Sequence, residues 1–422
     1  MRERRSERSE RTRPRRPRTL TPVTATSDLD TRRADLRAVL GTRLAPRRED
    51  APPSVLGAGS DDVDGCRAYL GALADTGAAV PTWPRALGGR DAGPAEARVV
   101  AEVLADFDRP DLYPMLVGMA LVGPVLLALG SADQQARFLP RIASGEEVWC
   151  QLFSEPDAGS DLAGLTSRAE RDGDEWRVTG AKVWSSRAHY SERGLLLARH
   201  DSSLAKHAGI TAFALDMRQP GVTVAPLRQM NGDTHFSQVF LDGALVADAD
   251  RIGEVGAGWT VALTTLAHER GALGASGGTG GMDLGLDRLL TRARELGCTG
   301  DPLVRQRLAD LYAQQEVLRL TAKRARAARA DGPEGSGLKL RSTRLFKALV
   351  DTAMAIEGPG ALAAGSEWET LFLTAPSLSI RGGTDEVQRN IVGERVLGLP
   401  PEPRVDKGRP FSETIGPQGS RA

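Results

Sequence analysis

The sequence predicts an α+β protein in which an N-terminal α-helical domain, a middle β domain and a C-terminal four-helix bundle follow one another. Three observations carry this. Apolar residues recur at helical spacing from Asp28 to about Gly145. Between Val148 and about Gly258 that period gives way to short β-rich runs, and from Trp259 onward it returns. Helices, then strands, then helices, with no alternating βα units, exclude a doubly wound sheet.

The first 27 residues read as a disordered basic tail. Residues 1–18 hold nine Arg against three Glu, with no apolar residue between Met1 and Leu20, so the segment has nothing to bury. Its Glu residues argue against a transit peptide, it lacks the apolar region of a secretion signal, and no role is assigned to it. The helical domain follows over 28–147, with Ser131 as a helix start and breaks at Pro52-Pro53 and from Pro81 to Pro84. Leu112 to Ala132 carries no charge, but Pro114, Pro124, Gly118, Gly123 and Gly130 interrupt it, so it predicts buried helices rather than a membrane span. Met115, Leu116, Met119 and Leu127 in that run could line an apolar cavity, thioethers being adaptable walls. The β domain occupies 148–258, where Trp176, Val178 and Val183 and the runs GLLLAR, ITAFAL, VTVAPL and SQVFL lie between Gly, Asp and Pro turns. The bundle fills 259–402, with helices expected at 259–296, 302–331, 338–364 (interrupted near Gly358) and 385–397, and a tail over 403–422.

Composition removes several function classes. The chain has 422 residues, enough for two or three domains, and a net charge of zero gives it no overall pull toward nucleic acid or membrane. Cys66, Cys150 and Cys298 are far apart and unpaired in pattern, and the five His form no ligand spacing. A metal site is therefore not expected, and a reducing cytoplasm is the expected compartment.

Three stretches carry chemistry: QLFSEPDAGSDLAGL (151–165), DEWRVTGAKVWSS (174–186) and RGGTDEVQRNIVGERVLGLP (381–400). With them the chain resembles the acyl-CoA dehydrogenase family from roughly Asp28 to Arg404. The resemblance implies the same three-domain fold, bound flavin adenine dinucleotide (FAD), an acyl-CoA or acyl-carrier thioester substrate and assembly as a homotetramer or homodimer, with a hetero-oligomer as the alternative. It also implies an electron-transfer flavoprotein as the partner that reoxidises the flavin. Removing a proton alpha to a thioester needs a base and an acceptor for the beta hydride, and no side chain accepts hydride.

By the same resemblance Gln151, Phe153, Ser154, Gly159 and Ser160 belong to a flavin-contacting loop, with Ser154 beside the pyrimidine side and Ser160 near the pyrophosphate and the substrate. Small residues there let backbone and hydroxyl groups approach a flat polar ring. Trp184 is placed against the flavin, and Ser186, where the family has Thr, keeps a hydroxyl near N5. Thr384, an N-cap, and Glu386 approach the FAD, and Gly358 and Gly360 of IEGPG lie where another subunit's cofactor passes. The family's R-x-x-F-G loop is not visible around 292–302.

The family's best-known catalytic Glu stands immediately before the Gly-Thr of the last motif, where this chain has Gly382. The base must come from elsewhere or be absent. In LTTLAHERGALG, Ala262, Leu266, Glu269 and Leu273 fall on one helical stripe, and a carboxylate on an apolar stripe is unusual. Some family members, the isovaleryl-CoA and long-chain acyl-CoA dehydrogenases, carry their Glu on this helix directly before an Arg, as in Glu269-Arg270. Glu269 is thus the expected base, and its alternative is a structural ion pair to Arg270 or Arg381. Met119, Ser160, Arg270, Gly382 and Gly383 are the expected substrate contacts. His268 points away from Glu269, and His189 and Tyr190 could line the pocket mouth but read first as an ordinary loop pair.

Three rival readings remain at this point. The first keeps the fold without the activity: a base-deficient partner subunit, or a flavin oxidase or monooxygenase. A Rossmann enzyme built on GPGALA (358–363) lacks a preceding strand. A nucleic-acid binder would rest on residues 1–18 alone.

Overall fold

The computed structural model describes residues 24–48, 61–275, 285–327, 334–362, 365–404 and 406–414. The basic run 1–18 lies outside them. Helix α1 (Thr24–Gly41) begins inside the stretch expected to be disordered, and local pairs of Asp28 with Arg32 and Asp30 with Arg33 brace its first turns. Helices α2 (Val63–Leu73), α3 (Pro94–Leu104), α4 (Gly123–Leu129) and α5 (Ala132–Ala143) complete the N-terminal domain. Ser131 caps α5 as the sequence predicts, in a reciprocal capping box with Gln134. The uncharged run folds as buried short helices, including a π-helical turn Val117–Val122. Among the described residues no helix is long and apolar enough to cross a membrane.

The β domain is one twisted sheet of eight strands: β1 (Trp149–Leu152), β2 (Arg168–Asp172), β3 (Glu175–Ser186), β4 (Arg193–Arg199), β5 (Ile210–Asp216), β6 (Val222–Leu227), β7 (Phe236–Ala247) and β8 (Arg251–Ile252). Their order is β6-β7-β3-β2-β4-β5-β8, with β1 parallel to β4. The long pair β3–β7 slips register between Lys182 and Ser185. That bulge turns one residue out of the pleat, and the residue is Trp184.

Asp248, in the turn after β7, ties the start of β3 to β8: it accepts from Trp176 Nε1 (2.7 Å) and Arg251 Nε (2.9 Å). Those hydrogen bonds, Arg251's first, push its carboxyl down to about 2. An unfolded Asp titrates near ~3.9, so this contribution is complete above about pH 4 and is lost as pH falls through about 2. Asp248→Asn is expected to lower stability at neutral pH and to flatten the acid limb of stability against pH. Denaturant titrations across that window measure both.

After the sheet come α6 (Gly258–Ala275), α7 (Leu286–Glu295), α8 (Pro302–Ala327), α9 (Glu334–Glu357), α10 (Glu367–Thr374) and α11 (Asp385–Ile391). The single helix expected over 259–296 is thus described as two, one ending at Ala275 and the next starting at Leu286. Helix α10 was not expected. Ser366 caps it, accepting from Glu369 N–H, and Trp368 and Leu371 seat it on α9. Helix α9 is the centre of the bundle, touching α6, α8, α10 and α11. A separate core joins α4, α5, the sheet and α6 through Leu126, Phe138, Trp149, Leu195, Ile210 and Val261. This core fixes α6 on the sheet, which sets the position of Glu269.

Candidate active site

The 151–161 loop leaves β1 and folds back on β3 through one carboxylate. Glu155 accepts from Thr166 N–H (2.7 Å), Thr166 Oγ1 (2.9 Å), Ser167 N–H (3.0 Å) and Lys182 Nζ (2.7 Å). Lys182 also donates to Phe153 O (3.2 Å). Both side chains are essentially out of solvent, at 0% and 4% exposure. Burial pushes the Glu155 carboxyl up, and Lys182 together with the Thr166 and Ser167 donors outweighs it, leaving the group below its ordinary value. The consequence is register: Val183 N–H donates to Ser154 O (2.9 Å), so Ser154 lies beside Trp184.

Trp184 has φ 59° and is 59% exposed, with its ring edge-on to Phe236 at 5.8 Å. A left-handed backbone at a bulky residue is strained, and a large indole left open to water gains nothing by it. Ser186 is half-buried next to it, Ser154 is half-buried, and Gly159 and Ser160 are exposed, a Cβ at Gly159 meeting no atom within 4 Å. An open strip of one aromatic face, small hydroxyls and bare backbone suits a flat heteroaromatic ring with polar edges, so these residues fit a flavin. Gln151 is half-buried on β1, and the Phe153 ring belongs to the core.

Glu269 comes to the site from α6. Ala262 is fully buried on its stripe and Leu266 is packed against the core, while Glu269 is half-buried and His268 is exposed. The side chains of Arg270 and Leu273 lie outside the described residues. Arg381 of the RGGT turn lies within electrostatic reach of Glu269: burial lowers its guanidinium, and the charges of Tyr113 and Glu269 act against that. The structure therefore joins three segments distant in sequence, around 113, 269 and 381. The π-helical turn carrying Met119 packs on α6, with Met119 half-buried between two cores.

Gly382 and Gly383 are both left-handed, at φ 66° and 82°. Gln388 Nε2 holds the turn by donating to Gly382 O (2.8 Å). Thr384 caps α11, accepting from Val387 N–H (3.2 Å), and Glu386 is exposed with Arg389 as its ion partner. Gly358 and Gly360 sit in the 3-10 turn Gly358–Leu362, which touches α9 and α10, and a Cβ on either meets no atom within 4 Å.

One group escaped the sequence reading. Arg187, left-handed at φ 58° and 4% exposed, follows Ser186; its Nε donates to Asp61 (2.8 Å) and its guanidinium lies 4.3 Å over the Tyr113 ring. Tyr190 donates to the same Asp61 oxygen (3.1 Å), so the expected loop pair is part of a polar wall. The only sequence signal was an Arg directly after the flavin-side strand. Among the described residues no group of three or more His, Cys, Asp or Glu could hold a metal ion.

The chain matches three family models in order: "Acyl-CoA dehydrogenase, N-terminal domain" over residues 27–146, "middle domain" over 150–243 and "C-terminal domain" over 256–397. It is 38% identical to acyl-CoA dehydrogenase IpdE1 of Mycobacterium tuberculosis over 351 residues, which is 80% of this chain and 88% of that protein. Among solved structures it is similar to the Tcur3481-Tcur3483 steroid ACAD, with TM-score 0.70, 29% identity and coverage of 89% of this chain and 98% of that one. The ChsE4-ChsE5 complex from Mycobacterium tuberculosis aligns with TM-score 0.67 and 28% identity, over 92% and 100% of the two chains. The chain belongs to the acyl-CoA dehydrogenase family, FAD-dependent oxidoreductases of lipid metabolism.

Proposed function

We propose that this protein introduces an α,β double bond into an acyl-CoA thioester, with Glu269 as the base that takes the alpha proton. The observation that carries the reading is that Glu269 lies within electrostatic reach of Arg381, the residue before a Gly382 that has no side chain to offer. Bound FAD supplies the acceptor for the beta hydride. Ser154, Gly159, Ser160, Trp184, Ser186, Thr384 and Glu386 would hold it from this chain, and Gly358 and Gly360 from a neighbouring one. Trp184 shields the ring from water, and Ser186 offers it a hydroxyl. Arg381 keeps positive charge next to the base. Met119, Ser160, Gly382 and Gly383 border the acyl thioester. The acyl group is steroid-derived or otherwise ring-bearing, a class supported by the name of the similar steroid ACAD. An electron-transfer flavoprotein takes the electrons onward.

A second reading is favoured by a specific observation, the apolar surface of the bundle. Leu362 (79%), Leu303 (72%), Ile380 (66%) and Leu397 (66%) are exposed in the single chain. They suit an assembly, homodimeric or homotetrameric, or one with a different chain in which this subunit lacks a working base. Purification should yield a yellow protein whose released cofactor is FAD. Denaturation that releases no flavin, with no rebinding on reconstitution, would end the first reading and leave the second.

A further inference from the structure

The chain continues past the stretch that matches the family models, which ends at Leu397, and turns back to the β domain. Phe411 N–H donates to Leu204 O and Ser412 N–H to Ser202 O, both at 2.9 Å, and Pro410 bridges to Ala205. Residues 406–414, a turn that runs into the 3-10 turn Phe411–Glu413, thus dock on the loop between β4 and β5. Phe411 is 4% exposed, and the guanidinium carbon of Arg199 lies 3.5 Å above its ring.

Arg199 uses the rest of its planar fork on backbone. Its Nε donates to Leu165 O (3.1 Å), Nη2 to Ala163 O (2.7 Å) and Nη1 to Lys206 O (3.0 Å). Lys206 in turn places its Nζ between Asp161 Oδ2 (2.5 Å) and Asp406 Oδ2 (3.3 Å). Apart from the Arg199 bond to Lys206 O, which ties the two cations together, these contacts end on two objects: the turn Leu162–Gly164 with its flanks, which closes the flavin-side loop, and the returning C-terminal segment. Arg199 is a buried cation that donates to three backbone carbonyls, and burial lowers its guanidinium to about 10, with Glu155 opposing the shift. Such an arrangement costs desolvation, and what it yields is fixed geometry at three carbonyls.

We infer that residues 406–414 are a strap that sets the position of the 151–165 loop, and with it the flavin-side residues Gly159 and Ser160, through Arg199 and Lys206. Lys206, Arg199 and Phe411 are positioning residues that touch neither substrate nor reacting atoms. Where the inference concerns FAD, it rests on the function proposed above.

The test uses the full chain with Lys206→Met and Phe411→Ala, and the conservative Lys206→Arg and Phe411→Tyr as rescues. Lys206 lies on the β4–β5 loop with 16% of its side chain exposed, outside the buried Phe411 contact, so its variant tests positioning even where Phe411→Ala unfolds. Without ligand, amides of residues 158–165 are expected to exchange about tenfold faster in Lys206→Met than in the parent. The Kd for FAD should rise about tenfold while kcat per bound flavin stays within about twofold, and the conservative variants should return both toward the parent. Loop exchange and FAD affinity equal to the parent's, with only the melting temperature lowered, overturn the inference and leave the strap as packing. A parent that binds no FAD, with exchange still faster in Lys206→Met, supports the strap's hold on the loop and defeats the proposed function instead.

Discussion

Glu269→Gln is expected to slow reduction of the bound flavin by acyl-CoA at least ~10²-fold, the lower end of what a general base contributes. Gln keeps the shape and polarity of the side chain and removes only its basicity. FAD content and melting temperature should therefore hardly change, which stopped-flow absorbance and a thermal melt on the same sample would establish. The double variant Gly382→Glu, Glu269→Gly moves the carboxylate to the family's commoner position. Gly382 is left-handed at φ 66°, and a side chain there carries a backbone cost of roughly 1–2 kcal/mol. Partial recovery of rate in a somewhat less stable protein is the expected outcome. Near-normal reduction by Glu269→Gln removes Glu269 from the base role.

The second large effect is on stability. Lys182→Met leaves Glu155, 4% exposed, without its cation. Breaking one half of a buried ion pair costs ~3–5 kcal/mol, because the remaining charge stays desolvated. The three donors from Thr166 and Ser167 persist, so the loss should fall within that range rather than abolish folding. Because the pair also holds the loop of Ser154 against β3, the variant should retain less FAD. The double change Lys182→Met, Glu155→Gln should recover much of the stability, since both charges are then gone. Denaturant unfolding of the two variants measures this directly; equal stabilities for single and double variants contradict it.

The domain order was legible because each change of hydrophobic period is local: a helix stripe or a strand alternation is written in neighbouring residues. The same holds for the Ser131 and Thr384 caps, which need only the residues three positions on. Glu269 stood out for a similar reason, a charge on the stripe of Ala262 and Leu266. What was hidden depends on contacts far apart in the chain. Nothing near Lys182 announces Glu155, 27 residues earlier, and nothing near Asp406 announces Lys206. The short helix α10 lacks the length for a clear period, and it is held mainly by Trp368 and Leu371 against α9. The left-handed Trp184 follows from a register slip between β3 and β7, which no single strand encodes.

With Gly382 at the usual base position, this chain is expected to carry out the family's dehydrogenation itself. Anaerobic titration of the purified yellow protein with acyl-CoA thioesters of graded bulk tests it most directly. The expected result is bleaching of the oxidised flavin band at stoichiometric thioester, strongest with ring-bearing or steroid-derived acyl groups. A protein that holds FAD fully, binds the thioesters and shows no bleaching with any of them would contradict the claim and leave the base-deficient subunit in its place.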